Sequence, residues 1–151
     1  MGDKLKFGFD LHGVLDDLPK TFKVINNSLY DSGHEIHIIT GSHITKDIED
    51  ELHEIGIKYH KIFGIADYHR EIGTEIKYDE LGRPWLDEEE WNRTKGDYCR
   101  REGIDLHFDD SDVYNDYFTT PFSRVWTKND RNGRGCKKKM SAFKEKSDKN
   151  L

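Results

Sequence analysis

The sequence predicts a three-layer α/β fold, in which helices flank a Rossmann-like parallel sheet and a small β-hairpin is inserted. Apolar runs over 5–11, 35–40 and 58–65 alternate with two amphipathic helical patterns. This succession favours parallel strands, because right-handed crossovers between them are made by the intervening helices. In such a sheet, polar residues that end the strands lie at one edge, where α/β folds bind their ligands.

The two helices between these strands have recognisable ends. Pro19 starts a helix over 19–32, with apolar residues spaced along one face. Thr45 caps a second helix, which continues to about residue 55 and stops at Gly56. These local signals support the alternation that the fold class requires.

Residues 66–92 interrupt this alternation. Two short β-prone runs, 74–78 and 83–86, flank a turn that contains Gly82. Residues with strand propensity on both sides of a turn are typical of a β-hairpin. We therefore predict a hairpin insert that forms a small flap.

The remaining elements complete one domain over 1–127. Asp87 caps a helix over 87–102, whose first turn is acidic. A strand that ends at Asp109, a short helix and a last strand near 122–126 follow. A chain of 151 residues with 34% hydrophobic and 12% aromatic residues is sufficient for one compact domain.

The composition of the chain also indicates the cellular compartment in which we expect the protein. There is no run of about 18 apolar residues and no apolar leader after Met1, so we expect a cytoplasmic protein without a membrane partner. Cys99 and Cys136 are too few for a disulfide framework and are expected to be free thiols. No pattern in the sequence predicts an oligomeric state.

The C-terminal segment 128–151 differs in charge from the rest of the chain. It contains nine Lys or Arg and three Asp or Glu, a net charge of +6, whereas the whole chain has −6. Its few apolar residues cannot offset the chain entropy of folding, which predicts a flexible, solvated tail. The alternative is an electrostatic arm for nucleic-acid phosphates or an acidic partner. The solvated tail is favoured, because Phe143 is its only aromatic residue for base stacking.

Five polar side chains indicate which reaction the protein could catalyse. Asp10 ends the first apolar run and Thr40 ends the second, while Asp109 and Asp110 close a later one. Three carboxylates at one sheet edge would repel one another unless a hard cation such as Mg²⁺ lay between them. The hydroxyl of Thr40 and the ammonium group of Lys95 suit the oxygens of a phosphoryl group. The pattern therefore indicates phosphoryl transfer with Asp10 as the nucleophile.

The order of these residues resembles the haloacid dehalogenase-like (HAD) superfamily over residues 5–127. Its phosphatases carry Asp-x-Asp-Gly-[Thr/Val] after the first strand, a Thr or Ser after the second, then a Lys and an acidic pair. The resemblance implies a HAD-like enzyme, a phosphoric monoester hydrolase that forms an aspartyl-phosphate on Asp10. It also implies that Thr40, Gly41 and Lys95 bind the phosphoryl group. The implied magnesium ligands are Asp10, the backbone carbonyl of His12, Asp109 and Asp110.

One position departs from the family pattern. Where the phosphatases have a second Asp, which protonates the leaving group and then activates water, this chain has His12. Imidazole, with an unperturbed pKa of about 6.5, is a competent general acid and base at neutral pH. We therefore predict that His12 takes over this role. The alternatives are a catalytically weak or inactive HAD-like binding protein, whose basic tail contacts a partner or nucleic acid, and phosphotransfer to an acceptor other than water.

The small size of the insert indicates which kind of substrate the site accepts. About 30 residues separate Asp10 from Thr40, so no cap domain fits between them and the hairpin is the only insert. Minimal-cap members of the family have open sites and often act on bulky substrates. The resemblance therefore implies a phosphorylated nucleotide, nucleic-acid end or metabolite as the substrate.

Two assignments have alternatives within the chain. Lys61 or Lys77 could take the phosphate-binding role given to Lys95. Among the histidines other than His12, only His43 is expected near the pocket, because it follows Thr40 closely. The remaining histidines show no ligand spacing and are expected to be surface or packing residues.

Overall fold

The computed structural model describes residues 2–131, which form an α/β fold. The strands, in chain order, are β1 (Lys6–Phe9), β2 (Glu35–Thr40), β3 (Lys61–Gly64), β4 (Lys77–Tyr78), β5 (Pro84–Trp85), β6 (Leu106–Asp109) and β7 (Phe122–Arg124). Five of them form one parallel sheet in the order β3, β2, β1, β6, β7. Strands β4 and β5 pair antiparallel as a separate hairpin. The predicted Rossmann-like parallel sheet is confirmed.

Helices flank this sheet. They are α1 (Pro19–Asp31), α2 (Lys46–Ile55), α3 (Ile65–Glu71), α4 (Glu88–Glu102) and α5 (Lys128–Arg131). The hydroxyl of Thr45 caps α2 by accepting a hydrogen bond from the backbone N–H of Ile48, and Gly56 ends the helix in the left-handed conformation. Asp87 caps α4 and Gly103 ends it in the same way. These predicted helix boundaries are confirmed.

Helix α3 was not predicted, because residues 65–71 fall in and beside the segment that the sequence assigns to the insert. Its N-cap is Gly64, which has no side chain to accept a hydrogen bond, so the usual signal of a helix start is missing. Buried Ile65 and Ala66 hold the helix directly after β3. Strand β3 is also shorter than predicted, since it begins at Lys61 and not at residue 58.

The sheet register brings two strand ends together. Phe9 of β1 pairs with Phe108 of β6, and their rings stack with centroids 4.9 Å apart. Phe22 of α1 packs edge-on against both rings, so this aromatic cluster forms part of the main core. The backbone N–H of Asp10 then donates to the carbonyl of Phe108 at 2.9 Å. The residues that follow Phe9 and Phe108 are therefore neighbours at the same sheet edge.

The end of the described chain packs against the domain. In α5, Lys128 donates its backbone N–H to the carboxylate of Asp17, and the guanidinium group of Arg131 lies 3.3 Å from the same carboxylate. Most of the predicted basic tail, 132–151, lies outside the described residues. Within residues 2–131, no helix is both long enough and apolar enough to cross a membrane.

Candidate active site

A pocket of about 750 Å³ opens at the carboxyl ends of β1 and β2. Parallel α/β sheets bind their ligands at this edge. The predicted site residues that line it are Asp10, His12, Thr40, Gly41 and Lys95. The two remaining ones, Asp109 and Asp110, contact Lys95 and Asp10 respectively. The structure thus brings all seven predicted residues to one place.

A buried lysine joins two of the carboxylates. Nζ of Lys95 lies 3.2 Å from Oδ1 of Asp10 and 2.7 Å from Oδ2 of Asp109, and all three side chains are buried. Burial favours the neutral amine, but the two carboxylates outweigh it and raise the pKa of Lys95 above its usual range. Lys95 therefore places a fixed positive charge beside Asp10.

Asp110 joins this cluster by packing over a glycine. Gly13 has a φ of 90°, and a β-carbon there would collide with the carboxylate of Asp110. The left-handed backbone and the absent side chain at Gly13 thus let Asp110 approach Asp10. One carboxylate oxygen from each of Asp10, Asp109 and Asp110 lies within 4.8 Å of the other two. Such a group of hard oxygen donors could hold a divalent metal ion.

The three carboxylates differ in their electrostatic environments. Burial raises the pKa of Asp10 well above its usual range, and the neighbouring carboxylates add to this, although Lys95 opposes it. Burial also raises the pKa of Asp110. In contrast, Lys95 and His107 hold the pKa of Asp109 below its usual range, against the effect of burial. A cation among the three would favour the ionised form of each carboxyl group.

A histidine that the sequence did not single out supports Asp109. Nε2 of His107 lies 3.0 Å from Oδ2 of Asp109, and the backbone N–H of Ser111 donates to Oδ1 at 3.1 Å. Burial lowers the pKa of His107, which favours the neutral imidazole. The one sequence signal for this contact is the spacing of two residues along β6, which places both side chains on the same face of the sheet.

Thr40 and Gly41 form the pocket edge at the end of β2. Thr40 is buried, and its hydroxyl accepts a hydrogen bond from the backbone N–H of Ser42 at 3.4 Å. A β-carbon at Gly41 would lie only 2.9 Å from Cζ2 of Trp91. Glycine at this position therefore lets the indole of Trp91 pack directly against the predicted phosphate-binding edge.

His12 lies in the turn after β1 and lines the same pocket as Asp10. Its Nδ1 is 3.0 Å from Oδ2 of Asp16, and this hydrogen bond raises the pKa of His12. The backbone N–H of Gly13 donates to the other oxygen of Asp16 at 2.6 Å, which fixes that carboxylate. Because Asp16 engages Nδ1, Nε2 is the ring nitrogen that is available for proton transfer to a ligand.

The structure distinguishes Lys95 from the alternative lysines. Lys61 is at the amino end of β3, on the opposite sheet edge, and its Nζ lies 3.5 Å from Glu102. Lys77 is exposed on the hairpin. In addition, Nζ of Lys95 lies 4.7 Å from the ring centroid of Tyr114, a cation–π contact that the sequence did not predict.

The hairpin forms one wall of the pocket through residues 83–86. His43, in the loop after β2, links the hairpin to α3, since its Nε2 lies 3.0 Å from the hydroxyl of Tyr78 and its Nδ1 lies 2.6 Å from Asp67. His43 was expected near the pocket. It contacts the hairpin beside the pocket wall, but it is not one of the lining residues.

No protein-family model, curated protein or solved structure matches this chain.

Proposed function

We propose that this chain is a magnesium-dependent phosphatase of the HAD-like superfamily, which hydrolyses phosphate monoesters through an aspartyl-phosphate on Asp10. The observation that carries this proposal is the buried cluster of Asp10, Lys95 and Asp109 at the carboxyl ends of β1 and β6. Burying charged groups together is costly, so such clusters are concentrated at functional sites. Thr40 and His12 on the same pocket supply the remaining groups that the reaction needs.

Mg²⁺ fits the donor set of this cluster. It prefers carboxylate, carbonyl and water oxygens and is usually bound through few protein groups. Asp10, Asp109, Asp110 and the backbone carbonyl of His12 would hold it. When bound, the ion offsets the negative charge of the three carboxylates and of the phosphoryl oxygens.

Lys95 and Thr40 each donate a hydrogen bond to an oxygen of the phosphoryl group. The ammonium group of Lys95 has three N–H donors, and its contacts with two carboxylates leave one for a phosphoryl oxygen. The hydroxyl of Thr40 donates to a second oxygen. These donors are fixed before the substrate binds, which is how electrostatic stabilisation of a transition state is most effective.

The reaction then proceeds in two displacements. An oxygen of Asp10 forms a bond to phosphorus while the bond to the leaving oxygen breaks, and Nε2 of His12 gives that oxygen its proton. Water then attacks the phosphorus atom, His12 takes a proton from the water, and the bond between phosphorus and Asp10 breaks. Inorganic phosphate leaves, and both side chains return to their starting states.

Metal removal tests the proposed function. Phosphate release is measured from nucleoside monophosphates, 3′- and 5′-phosphorylated oligonucleotides and sugar phosphates, with Mg²⁺ or with EDTA. We expect release with Mg²⁺ from at least one class, its loss in EDTA, and its recovery when Mg²⁺ is added in excess. Equal release in EDTA, or none from any class, would contradict the proposal.

Replacement of His12 tests the acid/base assignment. His12→Ala is expected to lower kcat by about 10²- to 10⁴-fold with little change in KM, because general acid–base catalysis contributes on that scale. His12→Asp, which restores the family residue, is expected to keep turnover. His53→Ala, at an exposed histidine of α2, is the matched control. An active His12→Ala variant would exclude His12, and an inactive native protein rescued by His12→Asp would favour a binding protein that has lost turnover.

A further inference from the structure

The pocket holds an aromatic wall that phosphoryl transfer does not use. Trp85 of β5 and Trp91 of α4 line it together with Tyr114, in the same pocket as Asp10. Trp85 is 59% exposed, which is unusual for the largest apolar side chain. Exposed large aromatic side chains at a pocket often mark a binding surface.

The indole of Trp85 is held in place by one carboxylate of the hairpin. Its Nε1 donates to Oδ2 of Asp79 at 3.3 Å. Asp79 also accepts from the backbone N–H groups of Leu81 and Arg83 at 2.9 Å each and pairs with the guanidinium group of Arg83 at 2.6 Å. An exposed ring that is fixed in this way loses little conformational entropy when a ligand stacks on it.

Trp91 places the second ring next to the phosphate-binding edge. Its Cζ2 packs where Gly41 lacks a side chain, immediately after Thr40. A ligand whose phosphoryl group lies between Thr40 and Lys95 therefore has aromatic surface adjacent to it on the same pocket. The amide of Asn92 and the guanidinium group of Arg83, which also line the pocket, offer hydrogen bonds to the edge of a polar ring.

We infer that this wall binds the base of a nucleoside phosphate, so that the substrate of the proposed phosphatase is a phosphate monoester of a nucleoside. This inference rests on the proposed function for the position of the phosphoryl group. A planar heterocycle matches both features of the wall, since it stacks on indole rings and has donors and acceptors along its edge. The volume of about 750 Å³ is within the range of small-molecule pockets and accommodates a base and a sugar beside the phosphate.

Trp85→Ala tests this base subsite. The catalytic efficiency kcat/KM is measured with Mg²⁺ for nucleoside 5′-monophosphates and for ribose 5-phosphate, which has the same sugar and phosphate but no base. We expect the native protein to prefer the nucleotides, and Trp85→Ala to lose about tenfold in kcat/KM on them and nothing on ribose 5-phosphate. Trp85→Phe is expected to recover most of the loss. Leu81→Ala, at a residue of the same hairpin that is 78% exposed and outside the pocket lining, is the control.

A binding measurement separates this inference from the proposed function. Calorimetric titration of Asp10→Asn in Mg²⁺ compares a nucleoside monophosphate with ribose 5-phosphate, with and without Trp85→Ala. Base-dependent binding that needs Trp85 would support the subsite even if no compound is hydrolysed. Equal binding of the two ligands, or an equal loss of both in Trp85→Ala, would overturn it. A 5′-phosphorylated oligonucleotide that binds or reacts better than the mononucleotide supports the subsite and assigns it to a nucleic-acid end.

Discussion

Asp10→Asn is expected to abolish phosphate release, with a fall in kcat of at least about 10³-fold. The proposed mechanism needs a carboxylate oxygen at this position to bond to phosphorus, and the amide of asparagine is a far weaker nucleophile of nearly the same shape. The measurement is phosphate release with Mg²⁺ at saturating concentrations of the best substrate. Because the side chain keeps its size, the variant is expected to fold.

The control for this variant is Asp47→Asn, which removes an exposed carboxylate from the first turn of α2. It is expected to keep native kcat. If Asp10→Asn retains more than about a tenth of the native rate, another group must attack phosphorus, and the aspartyl-phosphate proposal fails.

Lys95→Met is expected to destabilise the metal-free protein by about 3 to 5 kcal/mol, the usual cost of removing one member of a buried charge cluster. Methionine nearly fills the space of lysine, so the loss reports on charge more than on packing. The carboxylates of Asp10 and Asp109 remain in the interior without their cation. The measurement is the free energy of unfolding from guanidinium chloride titration at constant pH in EDTA.

The matched control is Lys58→Met, because Lys58 forms its ion pair with Asp31 at the exposed surface. Exposed pairs contribute little to stability, so its unfolding midpoint is expected to stay close to that of the native protein. A Lys95→Met variant as stable as this control would mean that the buried carboxyl groups are already neutral and that Lys95 does not balance their charge.

The sequence predicted those parts of the fold that carry local signals. Thr45 and Asp87 are residues that cap helices through their side chains, and Gly56 and Gly103 end helices in the left-handed conformation, so α2 and α4 could be placed closely. Helix α3 has none of these signals, since Gly64 precedes it. Its helical state depends on burial of Ile65 and Ala66 against the rest of the domain, which is a tertiary effect.

The difference between local and tertiary signals also explains which parts of the candidate site could be predicted from the sequence. Asp10, Thr40 and Asp109 each end an apolar run, and parallel strands bring such ends to one edge, so their proximity could be predicted. Trp91 and Tyr114 reach the pocket because α4 packs beside the 3₁₀ turn that contains Tyr114. The sequence has no periodic pattern that predicts this packing. The structure places these side chains together, whereas their chemical roles remain predictions.

The proposed covalent phosphate on Asp10 can be trapped by rapid acid quenching. The protein is mixed with Mg²⁺ and a substrate that carries a radiolabelled phosphoryl group, denatured in acid within the first turnovers, and digested for peptide mapping. We expect acid-stable, base-labile label on the peptide that contains Asp10, and none in Asp10→Asn. Label that appears in free phosphate but never on the native protein, or that maps to another peptide, would exclude an aspartyl-phosphate on Asp10.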